Sequence, residues 1–278
     1  MKQIGAQPNG EVVLAMQDGR QYSLVKILAI WAAATLPMAI LGWGVAPLIG
    51  NRLDLGVGVA NREAFTRAGL LALGLIWQFL LAMAIIFQEE GNLRWQTVRE
   101  RCWLNAPRDP KDGEKRSRLW LIILPLMALV LIIQISPMGD LWETAFPLLG
   151  EPEKYSFQQI MDSPDRKADI EGAWQVLALF VVLGIFNTIL GEELLFRGIL
   201  LPKMRGVFGR GDWLANGVLF GLYHLHQPWS ILGALVEGSL CLAFPSRRYR
   251  SAWIGIIVHS GQTAFFIFAA LGLVLGLA

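Results

Sequence analysis

The sequence predicts an all-α, polytopic transmembrane helical bundle of about seven spans. Hydrophobic residues make up 54% of the 278 and charged residues 17%. With a mean hydropathy of +0.47, that balance is too apolar for a water-soluble globular domain. The apolar residues gather into runs of roughly 20, the length a helix needs to cross a bilayer. Basic residues are shared unevenly among the connecting segments, as expected if Lys and Arg stay on the cytoplasmic side.

The runs place spans near 27–49, 69–88, 119–137, 174–205, 211–227, 229–245 and 251–277. The first, from Ile27 to Ile49, exceeds the roughly 7 to 15 apolar residues of a signal-peptide core and is expected to be retained. Residues 1–26 before it form a polar, cytoplasmic amino-terminal segment. The segment 89–118 carries Arg94, Arg99, Arg101, Arg108, Lys111, Lys115, Arg116 and Arg118 and is assigned to the cytoplasm. The segment 138–172 has Lys154, Arg166 and Lys167 among eight acidic residues and is assigned outside. Alternation then puts Arg205 to Arg210 and the cluster Arg247, Arg248 and Arg250 inside and the carboxy terminus outside. Loop 51–67 runs against the rule, being assigned outside with Arg52, Arg62 and Arg67. The fifth and sixth spans are short and separated only by Gln227 and Pro228, so one is expected to be tilted or re-entrant. Gly217 and Gly221, four apart, would let a neighbouring helix approach closely. Two units result: accessory helices over 27–172 and a catalytic core over 173–278.

The net charge of +2 and the absence of one dominant basic face argue against nucleic acid as a partner. Cys102 in a polar loop and Cys241 in an apolar run suggest no disulfide framework. No repeat of 20 to 50 residues and no inverted pair of interrupted spans stands out.

Ionisable groups inside a span cost about 2.5 to 3.5 kcal/mol each at the helix centre, so they are paired or functional. They cluster late: Glu192, Glu193, Arg197, His224, Glu237 and His259, with His226 near a helix end. Glu193 and Arg197, four apart, share a helix face and are expected to pair, leaving Glu192, about 100° away, free for chemistry. Measured at about 1.5 Å per residue from the basic helix ends, Glu192 and His224 lie about 20 Å deep, His259 about 14 Å and Arg197 about 12 Å. A carboxylate and imidazoles in one such layer are able to hold and deprotonate water for peptide hydrolysis. His226 is expected to project from nearly the opposite face to His224. Glu237 has no motif around it and reads as a partner for Arg197 or a helix-packing group at least as well as a catalytic one.

Glu192-Glu193 with Arg197, then Phe220 with His224, then His259 form three motifs in order. This pattern resembles the CPBP family of intramembrane proteases, which includes the eukaryotic CAAX prenyl endopeptidase, over roughly residues 174–270. The resemblance implies that Glu192 is the general base, that His224 helps to hold the water, and that Glu193 and Arg197 support the site. In the family the third motif ends in Asn or Asp four residues after its histidine, and the pair stabilises the oxyanion. Here that position is Thr263, preceded by Gln262, so the role falls to His259 alone or with a hydroxyl, a group that serves as an oxyanion donor elsewhere.

The family is often called metalloproteases, yet the sequence lacks HExxH. A metal-free site is expected, with zinc held by Glu192, His224 and His259 as the alternative. The expected function is an intramembrane endopeptidase acting on a membrane-associated protein or peptide, resident in the cell membrane. A non-proteolytic scaffold or immunity protein and a proton-coupled transporter are the competing classes.

Overall fold

The computed structural model describes residues 21–52 and 56–277; most of the polar segment 1–26 lies outside the described residues. Among the described residues there is no strand, only an isolated antiparallel bridge between Arg108 and Lys115. Six helices among the described residues are long and apolar enough to cross a membrane: α1 (Leu24–Ile49), α2 (Val59–Glu90), α3 (Ser117–Gln134), α4 (Trp174–Lys203), α6 (Pro228–Tyr249) and α7 (Ala252–Val274). Between α4 and α6 runs α5 (Asp212–Tyr223), which continues into a 3-10 turn at His224–His226. Together they rise only about 22 Å. The protein is therefore an all-α, multi-pass membrane bundle in which α5 is the short member.

Local chemistry fixes the ends. Ser23 caps α1 by accepting from the Lys26 N–H at 3.2 Å, a preferred N-cap arrangement. α2 stops at Gly91, whose φ of 70° ends the helix in the left-handed conformation. Three indole N–H groups bind α1 and α2 into the bundle through backbone carbonyls: Trp31 to Leu219 at 2.7 Å, Trp43 to Leu225 at 2.8 Å and Trp77 to Ala33 at 2.9 Å. The small-residue face of α5 meets α6. A Cβ on Gly217 would lie 2.5 Å from the Ser239 Cα, and one on Gly221 would lie 2.9 Å from the Leu235 Cα.

α2 begins ten residues earlier than the apolar run at 69, so the second half of segment 51–67 is helix and not loop. Arg62 and Arg67 are helical residues, and Arg67 is buried. Its guanidinium lies 4.6 Å from the Tyr155 ring centroid, 5.3 Å from Trp43 and 5.4 Å from Trp229, and donates to the His226 carbonyl. A cation held by three aromatic faces and a buried carbonyl is a packing element. It is not one of the loop charges that the orientation rule counts.

Wide π-type turns interrupt the helices around the polar cluster: Ile40–Val45 in α1, Ile185–Gly191 and Leu194–Leu200 in α4, and Gly238–Ala243 in α6. Such turns break the regular ladder and are frequent at functional sites. Side chains bind several of the carbonyls there. Asn216 donates to Phe196 at 2.9 Å, Arg101 to Gly198 at 3.3 Å and Ile199 at 3.4 Å, and Arg197 to Gly238 at 3.3 Å. Buried backbone groups are thus paired, as an interior requires.

Candidate active site

Glu192 and Glu193 sit at the joint between the two wide turns of α4, and both are buried. Glu193 faces the protein. Its Oε1 lies 3.1 Å from the Arg197 guanidinium and 3.1 Å from His259 Nδ1. The carboxylate and guanidinium are fully buried, and the guanidinium stacks 4.1 Å from the Phe220 centroid. Burying a charged pair is costly, but removing one partner costs about 3 to 5 kcal/mol more because the other charge is stranded. Glu193 and Arg197 thus form the structural pair that their spacing predicts, with His259 as its third member.

Glu192 faces a cavity of about 540 Å³ inside the bundle, whose walls also include His224, Glu237, His259, Gln262 and Thr263. The Tyr223 hydroxyl hydrogen-bonds the Glu192 carboxylate and itself accepts from Gln78 of α2 at 2.7 Å. The other oxygen of Glu192 has no protein partner. A buried carboxylate fixed through one oxygen and bare at the other is placed to accept a proton.

His224 is the first residue of the 3-10 turn. Its Nδ1 lies 2.8 Å from the Phe220 carbonyl, so Nδ1 carries the proton and Nε2 is left as an acceptor. The Phe220 ring meets the His224 imidazole edge-on at 4.9 Å and the His259 ring at 6.1 Å, which explains the phenylalanine four residues before His224. Thr263 sets its methyl against Gly184 of α4 and lines the cavity.

The expectation for His226 is corrected. The chain leaves α geometry at Tyr223, and the His224 and His226 rings stack at 5.5 Å and 22° instead of pointing apart. Both line the cavity. Glu237 does not reach Arg197 by a hydrogen bond; it accepts from Gln262 Nε2 at 2.7 Å. The intramembrane cluster therefore divides in two: Glu192, His224, His226, Glu237, His259 and Thr263 line the cavity, while Glu193 and Arg197 stand behind it.

Three polar residues of this arrangement escaped the reading of ionisable groups: Tyr223, Gln78 and the Gln262 that engages Glu237. Gln78 lies in an apolar run and was open to detection as an uncharged polar group inside a span. Tyr223 carried no signal beyond its place next to His224. Among the described residues no group of three or more His, Cys, Asp and Glu side chains is arranged to hold a metal ion. His224 and His259 each engage a protein acceptor through Nδ1, which leaves Nε2 of each ring facing other partners.

Residues 173–265 match the family model described as Type II CAAX prenyl endopeptidase Rce1-like. The match bears out the resemblance to CAAX-type intramembrane proteases and covers about a third of the chain, including Glu192, Glu193, Arg197, His224, His259 and Thr263. No curated protein and no solved structure gives a significant match.

Proposed function

We propose that this membrane protein, whose residues 173–265 belong with the Rce1-like CAAX proteases, hydrolyses a peptide bond of a membrane-associated protein or peptide with Glu192 as general base. At family level it is a CAAX-type intramembrane protease. The observation that carries the finer reading is the convergence of Glu192, His224, His259 and Thr263 on one cavity inside the bundle.

In this mechanism a water lies between the free oxygen of Glu192 and Nε2 of His224. Glu192 takes its proton as the oxygen attacks the scissile carbonyl. His259, held through Nδ1 by Glu193, presents Nε2 to the developing oxyanion, and its charge is balanced by the Glu193 carboxylate. The Thr263 hydroxyl is the second donor. Protonated Glu192 then passes its proton to the leaving amine, as a base turned acid does in acyl transfer. Tyr223 and Gln78 fix the Glu192 carboxylate, and no step runs through a metal. A site enclosed within spans limits the substrate to chains presented at the bilayer, and the proposed location is the cell membrane.

The test is Glu192→Gln, which keeps shape and removes the base. Turnover, read by mass spectrometry of products from a library of membrane-associated peptides, is expected to fall by roughly 100-fold or more in a protein that still folds. Undiminished cleavage would rule out Glu192 as the base. If the wild-type protein cleaves no member of the library, the scaffold reading gains.

A further inference from the structure

Away from the active site, a second cavity of about 810 Å³ opens at the basic end of the bundle, where α4 meets α5 and α6 meets α7. Six arginines line it: Arg108, Arg205, Arg210, Arg247, Arg248 and Arg250. The acids on its wall are Glu100, Asp109 and Asp212, and each is engaged elsewhere, Glu100 by accepting from Gln96 at 3.1 Å. Asp212 accepts from Arg247 at 2.6 Å, and Asp109 pairs with Arg116. Arg210 and Arg248 are exposed and have no hydrogen-bond or ion-pair partner among the described residues.

We infer that this groove binds the headgroup of an anionic phospholipid, with Arg210 and Arg248 on its phosphodiester. Guanidinium groups are the preferred partners of phosphate oxygens because their planar fork matches two of them at once. The height is right for a headgroup, since the arginines stand where membrane-crossing helices end. Trp213 and Phe244 meet edge-on at 5.3 Å on the same wall. Phe244 is exposed, as are Leu214 and Leu240 of the same two helices. An acyl chain gains contact along that apolar strip, whereas a free phosphate gains nothing from it, which is why the lipid is the assigned occupant. Aromatic residues beside basic ones are also the usual composition of the bilayer interface.

The full chain purified in a nonionic detergent would be mixed with equal amounts of phosphatidylglycerol and phosphatidylcholine of matched acyl chains, and the retained lipid measured by native mass spectrometry. Wild type is expected to retain phosphatidylglycerol at least about 10-fold better. At about fivefold per basic residue near an anionic surface, the Arg210→Gln/Arg248→Gln variant is expected to lose about 25-fold and Arg248→Gln alone about fivefold. Both should keep the wild-type thermal midpoint. A charge-matched control, Lys111→Gln/Lys115→Gln, changes residues outside the groove and should stay within about twofold of wild type. Inorganic phosphate at 10 mM, roughly a thousandfold over lipid, should not displace phosphatidylglycerol. The proposal fails if Arg248→Gln and the double variant retain the lipid as wild type does. It fails equally if the control loses as much, since bulk charge then explains the preference, or if phosphate displaces the lipid, since the ligand is then a soluble anion.

Discussion

Gly255 of α7 lies one helical turn before His259 and faces the buried Glu193 carboxylate. A methyl group placed there would stand 2.5 Å from Glu193 Oε2, 3.1 Å from the Ser246 hydroxyl and 3.5 Å from Arg197 Cγ. Ordinary contact starts near 3.4 Å, so Gly255→Ala has to push the carboxylate and α7 apart by about 0.9 Å. The other carboxylate oxygen is hydrogen-bonded to His259 at 3.1 Å and ion-paired with Arg197 at the same distance. A displacement of that size along either bond takes it to about 4.0 Å, beyond hydrogen-bonding range. Overpacking of this kind costs about 1 to 3 kcal/mol of stability. If Glu193 positions His259 for catalysis, a misplacement near 1 Å should lower turnover on the order of 100-fold. The assay is peptide turnover alongside thermal unfolding in detergent. Gly69→Ala serves as control, since no atom lies within 4 Å of the added methyl and both readouts should stay near wild type. Wild-type turnover in Gly255→Ala, with its unfolding midpoint lowered, would refute the positioning role while leaving the packing intact.

Three further outcomes are expected. Arg67→Gln leaves the His226 carbonyl without its guanidinium donor, and an orphaned buried acceptor costs about 1 to 3 kcal/mol; a lower unfolding midpoint and roughly 10-fold slower turnover should follow as the turn carrying His224 loosens, and an unchanged midpoint would contradict the packing role. Thr263→Val should slow turnover by about 10-fold if the hydroxyl donates to the oxyanion, and Thr263→Asn should preserve activity; Thr263→Val at wild-type turnover beside an inactive His259→Ala would leave His259 as the sole donor. Cys102 is buried, and burial pushes its thiol up to about 12, so it stays protonated at neutral pH and should resist maleimide until the protein is denatured. An exposed Lys115→Cys should then report the side of segment 89–118, and modification from the outer face by an impermeant reagent would overturn the cytoplasmic assignment.

The sequence made the helices legible because each had to bury its own backbone in lipid, and a run of apolar residues is what that requires. The i, i+4 spacing of Glu193 and Arg197 likewise carried their pairing, since it is a local property of one helix. What stayed hidden depended on breaks in that geometry. The stacking of His224 on His226 follows from a 3-10 turn that no periodicity announces, and the exposure of Glu192 to the cavity follows from wide turns on either side of it. Arg67 misled for a related reason: charge counting treats every arginine near a helix end as solvated, and only the tertiary arrangement supplies Trp43, Tyr155 and Trp229 to cover it. Glu237 found Gln262 across two helices, a partner that sequence distance gave no reason to prefer over Arg197.

Arg101 sets a limit on how this protein can be divided. Its guanidinium holds the Gly198 and Ile199 carbonyls inside α4, is anchored to Glu89 at 2.9 Å, and donates to the Tyr22 hydroxyl at 2.7 Å. Glu89 also accepts from Lys26 and from Tyr22, each at 2.6 Å. All four of these side chains come from outside residues 173–265. A fragment confined to the matched segment would expose two carbonyls to an apolar interior at about 1 to 3 kcal/mol each, next to the very turn that presents Arg197. The preceding helices and the segment between α2 and α3 are in that sense a keystone for residues 173–265, and a fragment that keeps these contacts reaches back to Tyr22.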